Sequence, residues 1–279
     1  MGTTRAPVAR IAAATRQGSG STNQDRYVVG EHYAAVLDGA SSESVTIPGR
    51  DGGWYAEALS HRLVKFLDED AGGTTADVVA RAIADVRDAY SLDPESTPTS
   101  TVAIARWTDT SIDLFVLGDS TAVALLADGT ELLQTDDRLA NVARAERDAY
   151  LSRLASGAGY DPGHRDLLRR LQAHQRAERN QPGGYWIAGA EPGAAYQAIT
   201  TRLSRHGAAA IVLATDGAAS AVDRYQLLPD WQAFVERLKT LDLAPLLLEI
   251  EQHEAFDPNG QHWPRGKRHD DKTAVYVGL

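Results

Sequence analysis

The chain has 279 residues, no cysteine and a formal net charge of −10, with 43% hydrophobic and 24% charged residues. This ordinary globular composition excludes a disulfide framework, thiolate chemistry and a nucleic-acid binder built on a cationic footprint. The longest apolar run, Ala208 to Thr215, is too short for a helix that crosses a bilayer, so no membrane partner is expected.

The start, Met1 to Ala6, has no sustained apolar run and does not read as a signal peptide, and Ala6 breaks the myristoylation pattern. The expectation is a cytoplasmic protein forming a single domain over residues 1–279. Tyr33 to Leu37 is a short apolar run that stops at Asp38-Gly39, which predicts a buried strand feeding a turn. From Trp54 to Leu67 the apolar residues recur at spacings of three and four, so a helix is predicted, and a second covers about Ala76 to Tyr90 before Asp93-Pro94. The period then changes to two. Thr101 to Arg106, Ile112 to Leu117 and Ala122 to Leu126 are expected strands, followed by the turn Ala127-Asp128-Gly129.

Residues 137–184 are rich in Arg, Ala and Leu with a helical period, and predict a helical insertion that covers or flanks the site; Arg169, Arg170, Arg176 and Arg179 fall within it. Strand signals return at Ala195 to Leu203 and at Ala208 to Thr215, the second again stopping at Asp-Gly, here Asp216-Gly217. Two helices, about Trp231 to Leu241 and Pro245 to Ala255, precede a last strand from Thr273 to Val277. Helices in pairs between runs of consecutive strands favour a layered α+β fold over strict βαβ alternation.

Asp25, Asp38, Asp119, Asp216 and Asp270 all sit at the edges of these strands. Carboxylates gathered at rigid strand ends repel one another unless cations neutralise them. Hard oxygen ligands select Mg²⁺ or Mn²⁺. A glycine directly after Asp38 and after Asp216 allows a sharp turn and close backbone approach to a ligand.

The acids belong to an ordered series: Asn23-Gln24-Asp25, then Val36-Leu37-Asp38-Gly39, Ser100-Thr101-Val102, and Leu117-Gly118-Asp119-Ser120. Ala214-Thr215-Asp216-Gly217 and Asp270-Asp271-Lys272-Thr273 complete it. This succession resembles the motif series of the type-2C protein serine/threonine phosphatases, in a divergent, bacterial-like form, and it covers nearly the whole chain. The resemblance implies two antiparallel sheets packed as a sandwich flanked by helices, in four αββα layers. It also implies hydrolysis of phosphomonoesters by water activated at two Mn²⁺ or Mg²⁺ ions, with a possible third. Asp38 matches the carboxylate that bridges two ions and the Gly39 carbonyl a ligand of the second. Asp216 and Asp270 match the remaining carboxylates of the first ion. Asp270 is aligned in preference to Asp271 because Thr273 then starts the last strand. Asp25 matches the early acid that supports the site, and Asp119 the position that helps hold the third ion. Asp38 and Asp25 are thus the expected catalytic residues.

The chain departs from the family at three places. Ala40-Ser41-Ser42 follows the first Asp-Gly, where the family often has His or Met-Gly-Gly, so a side-chain general acid is missing there and leaving-group protonation falls to a metal-bound water. Gly20 and Ser21 stand near where a phosphate-gripping arginine is usual, which leaves Arg16 or Arg26 as substitutes. Gln24 replaces the usual Glu. Gly18-Ser19-Gly20 continues into no nucleotide-binding motif, and His253, His262 and His269 lack zinc-site spacing and read as an exposed polar loop. Ser41 and Ser42 do not sit in a nucleophile elbow. The substrate expected is a phosphoserine or phosphothreonine protein. A small phosphorylated metabolite, or partner binding by a catalytically weak pseudophosphatase, remain as alternatives.

Overall fold

The computed structural model describes residues 10–40, 49–69 and 73–279, so Ser41, Ser42 and the first residues of the chain lie outside what is described. The chain opens with strands β1 (Arg10–Arg16), β2 (Asp25–Val29) and β3 (Tyr33–Ala40), then helices α1 (Gly52–Glu69) and α2 (Thr75–Tyr90). Strands β4 (Thr99–Ser100), β5 (Val102–Trp107), β6 (Ser111–Leu117), β7 (Thr121–Leu126) and β8 (Glu131–Gln134) follow. Helices α3 (Arg138–Asn141), α4 (Arg144–Ala155) and α5 (Pro162–Ala177) occupy the segment predicted to be helical. After a 3₁₀ turn at Pro192–Gln197 come β9 (Ile199–Ser204), β10 (Ala208–Ala214), α6 (Asp216–Asp223), α7 (Trp231–Thr240), α8 (Leu243–Ala255) and β11 (Lys272–Gly278).

The strands form two antiparallel sheets, ordered β1-β11-β10-β7-β8 and β2-β3-β5-β6-β9, with β4 paired to β3. Their apolar inner faces meet: Ala34, Val36, Leu114 and Val116 of one sheet share a buried cluster with Ile211, Leu213, Val275 and Val277 of the other. The outer faces are covered as well. Leu37, Ile104 and Phe115 pack against Leu59, Leu63, Phe66 and Ile83 of α1 and α2, while Val123, Val212 and Ala274 pack against Phe234, Leu246 and Ile250 of α7 and α8. This is the expected α+β sandwich in four layers. Strands buried on both faces are apolar throughout, which is why Ala34 to Leu37 and Ala208 to Ala214 read as continuous runs and not as alternation.

Two calls are corrected. The strand expected from Ala195 begins only at Ile199, because Pro192–Gln197 closes as a 3₁₀ turn. Asp216-Gly217 is not a turn: Thr215 stands at the N-cap position of α6, its side chain making no cap bond, and Asp216 is the first helical residue. A carboxylate there faces the positive end of the helix dipole. α4 and α5 pack on each other through their own small cluster of Tyr150, Leu154 and Leu171. Among the described residues no helix is long and apolar enough to cross a membrane.

Candidate metal centre

The strand ends bring the predicted acids together. β2 and β3 pair with Asp25 directly opposite Asp38. Across the sandwich, Asp216 follows β10 and Asp270 precedes β11, two strands hydrogen-bonded to each other. Asp119 sits where β6 passes to β7, that is, where the chain crosses from one sheet to the other. Asp38, Gly39, Asp119, Asp216 and Asp270 line one cleft of about 430 Å³, within the usual range of ligand pockets, about 300–1,000 Å³. Leu139, Gln172 and Ile187 line it as well, the first two from α3 and α5.

The local fold explains how each acid is held. Thr101 Oγ1 accepts the Asp38 backbone N–H at 3.2 Å and shares a 2.6 Å hydrogen bond with Ser120 Oγ, which ties β3, β5 and the Asp119 corner together. Gly39 carries no side chain because a Cβ there would lie 2.2 Å from the Gly52 carbonyl oxygen at the start of α1. Gly217 is required for the same reason, since a Cβ would stand 2.0 Å from the Asp271 carbonyl oxygen. Close approach, not a turn, is what both glycines supply.

The carboxyls are held in mutual tension. Burial, then the charges of Asp25, Asp216 and Asp270, push Asp38 well above the usual carboxylate range. Burial and Asp270 likewise raise Asp216, although Arg224, Lys267 and a hydrogen bond with Asp38 oppose the shift. Burial and Asp216 push Asp119 up to about 7. Asp25 is only 1% exposed, and burial pushes it up to about 8 although Thr215 Oγ1 donates to its Oδ2 at 2.7 Å. Its Oδ1 is buried with no hydrogen-bond partner.

These observations fit hard divalent cations. All the converging donors are oxygens, they repel one another as they stand, one buried carboxylate oxygen is orphaned, and a cation, the Lys267 ammonium, already rests against Asp270 at 2.7 Å. Among the described residues no three acidic or imidazole groups form a ready-made cage.

Asp271, the neighbour passed over in the register, has another task. Its two oxygens accept the backbone N–H groups of Gly18 at 2.7 Å and Gln24 at 2.8 Å, so it fastens the loop before β2 to the start of β11. The two arginines expected at the phosphate are not in the cleft. Arg16 is paired with Glu251, and Arg26 is bound to the carbonyls of Asn23 and Asp25 and to Glu57. The basic side chains that do line the cleft are Lys267 and His269. His269, read from sequence as part of an exposed loop, is bonded through Nδ1 to the buried Glu254 at 2.9 Å. Thr215 and Lys267 were missed. A polar Thr closing the apolar run of β10 was the available signal for the first; nothing local marks the second.

With the geometry in place, the comparisons agree on kinship. Residues 14–249 match the Protein phosphatase 2C family, and the chain belongs to that family. Among solved structures it is similar to the serine/threonine phosphatase PstP/Ppp of Mycobacterium tuberculosis, at 17% identity and TM-score 0.58, covering 98% of this chain and 99% of that one. The catalytic domain of PstP in complex with two manganese ions aligns at 15% identity and TM-score 0.57, covering 97% and 98%. The PPM Ser-Thr phosphatase MsPP of Mycobacterium smegmatis, in complex with cacodylate, aligns at 16% identity and TM-score 0.56, covering 98% and 100%. Identities this low establish the shared fold. No curated protein sequence matches the chain.

Proposed function

We propose that this protein is a Mn²⁺- or Mg²⁺-dependent phosphatase that hydrolyses phosphoserine and phosphothreonine in proteins. The observation that carries the reading is the convergence of Asp38, Asp119, Asp216 and Asp270, from both sheets, on one cleft in which their charges repel, with Asp25 buried directly opposite Asp38 on the neighbouring strand. A binding module has no physical reason to assemble such a set. Protein substrates are favoured by the family and by the serine/threonine phosphatases that share the fold.

In this reading Asp38 and the Gly39 carbonyl serve two ions, Asp216 and Asp270 complete the first site, and Asp119 contributes to a weaker third. Such ions supply Lewis-acid activation of water near neutral pH and offset charge on the phosphoryl oxygens. The chain's own part is placement. Thr101 fixes the strand end that carries Asp38, Thr215 orients Asp25, and the abutting glycines bring the backbone in close. Ala40 follows Gly39, so no side chain at that position donates a proton to the leaving group.

The first test is hydrolysis of p-nitrophenyl phosphate with and without Mn²⁺, followed by a comparison of phosphopeptides with phosphorylated metabolites. Metal-dependent turnover with phosphopeptides preferred supports the reading; preference for a metabolite moves it to a small-molecule phosphatase; no turnover leaves a binding protein. Asp38→Asn keeps the shape and removes the charge, and should lower metal-dependent turnover by at least about a hundredfold, close to 3 kcal/mol of barrier, with the fold retained. Turnover within about tenfold of the parent protein would be incompatible with a bridging role.

A further inference from the structure

Lys267 brings a positive charge into a cleft lined by carboxylates. Its Nζ donates to Asp270 Oδ1 at 2.7 Å. Asp38 and Asp216 line the same cleft. One ammonium therefore stands among three of the carboxylates assigned to the metal centre.

The way it is mounted separates a fixed backbone from a movable head. Tyr160 Oη donates to the Lys267 carbonyl at 3.2 Å, and His164 Nε2 lies 3.2 Å from the Gly266 carbonyl oxygen, so the insertion grips the loop from outside. Lys272 Nζ donates to the Asp270 carbonyl at 2.7 Å and meets Glu254 at 2.8 Å. The Lys267 side chain itself is 52% exposed and pairs with Asp270 three residues on. A pair so open to solvent adds little to stability, so holding the fold together is a poor account of it. A flexible four-carbon stem on a clamped backbone can instead leave the carboxylate without disturbing anything behind it.

We propose that Lys267 is a tethered cation that competes with the divalent ion for Asp270, neutralising the carboxylate cluster when the ion is away and yielding when it binds. The proposal rests on the metal-dependent reading above. It implies that the affinity of this centre for Mn²⁺ is set below what its oxygen donors alone would give.

The experiment is calorimetric titration of Mn²⁺ into the full chain and into Lys267→Gln and Lys267→Arg. Removing a neighbouring positive charge should tighten Mn²⁺ binding by about tenfold or more, the usual reach of a charge at such a distance, while Lys267→Arg should stay near the parent protein. Unchanged or weaker binding in Lys267→Gln overturns the proposal. A second measurement uses the unaltered protein. Acetylation by an amine-reactive reagent, read by peptide mass, should speed up at Lys267 when Mn²⁺ is added, with Lys65 and Lys239 as internal references. An unchanged or slower rate at Lys267 also overturns it. If the parent protein and both variants bind no Mn²⁺ and hydrolyse no phosphomonoester, the metal-dependent reading falls and takes the proposal with it. If the parent protein binds Mn²⁺ and turns over but Lys267→Gln binds no tighter, the proposal falls alone.

Discussion

Two adjacent aspartates with the same side chain divide the labour at the end of the sandwich. Both line the cleft, but Asp270 is 31% exposed and paired with Lys267, whereas Asp271 is buried and accepts two backbone N–H groups from the loop before β2. Their substitutions should therefore fail in different ways. Asp271→Asn swaps one acceptor oxygen for a donor that faces an N–H, and should cost about 1.5–3 kcal/mol, the scale of a lost hydrogen bond to a charged group. Asp270→Asn should leave the melting temperature nearly unchanged and weaken Mn²⁺ binding. Thermal melts paired with Mn²⁺ titrations check both, and a larger loss of Mn²⁺ affinity at Asp271 than at Asp270 would exchange the roles. The acids were legible in the sequence because each ends an apolar run and because they come in order. Thr215 and His269 were not, because their meaning comes from partners elsewhere in the chain, Asp25 and Glu254, and Lys267 was not, because a Lys three residues before an Asp in an irregular segment carries no signal of its own.

At the scale of elements, the segment between α8 and β11 has almost no secondary structure, yet it must deliver Asp270. It is pinned by a buried pair: Arg265 donates to Asp257 at 3.0 Å and to the carbonyls of Glu254, Asp257, Trp263 and Arg268. Burial raises the Asp257 carboxyl, but N–H donors from Trp263, Gln261 and His262 and the Arg265 guanidinium outweigh it and hold it below the usual range. A lowered carboxyl stabilises the folded chain at pH values above the ordinary carboxylate range, near 4, and that contribution is lost as pH falls below it. Asp257→Ala should cost about 3–5 kcal/mol at neutral pH, since it strands a buried guanidinium, and the deficit against the parent protein should shrink on acidification. Melts from pH 7 down to pH 3 read this directly; a deficit that does not change with pH would mean the pair contributes shape and not charge. The pattern of visibility follows from packing here too. Strands covered on both faces announce themselves as apolar runs, but β1 (Arg10–Arg16) is an edge strand with arginine at both ends, and α6 hides behind an Asp-Gly that reads as a turn.

The insertion was expected to meet substrate through Arg169, Arg170, Arg176 and Arg179, and the fold distributes these residues otherwise. Arg179 is fastened to the Pro94 and Thr97 carbonyls, Arg169 is paired with Asp166 on its own helix, and none of the four lines the cleft. Leu139 and Gln172 do line it. Replacing both with Ala should lower kcat/KM for a phosphopeptide several-fold while p-nitrophenyl phosphate, too small to reach this wall, is hydrolysed as before. Equal losses on the two substrates would make the insertion a scaffold. Arg179→Ala should register only as lost stability, about 1–3 kcal/mol for carbonyls left without their donor.

On the scale of the whole molecule, the proposed metal centre is also a joint. Asp25 and Asp38 come from one sheet, Asp216 and Asp270 from the other, and Asp119 from the corner between them. Repulsion among these groups works to spread the two sheets at the very end where apolar contact between their inner faces runs out. A divalent ion that binds the folded chain and not the unfolded one must stabilise it, by about 2.7 kcal/mol when free ion stands a hundredfold above its dissociation constant. For a domain of this length that corresponds to a rise of roughly 5–10 °C in Tm. Adding Mn²⁺ should produce the shift, a chelator should reverse it, and Asp38→Asn should abolish most of it by removing the carboxylate expected to be common to two ions. Lys267→Gln should gain more than the parent protein when Mn²⁺ is added, because the ammonium that competes for Asp270 is gone. Differential scanning fluorimetry on the three proteins decides the matter. Equal shifts in all three would place the bound ion away from this joint.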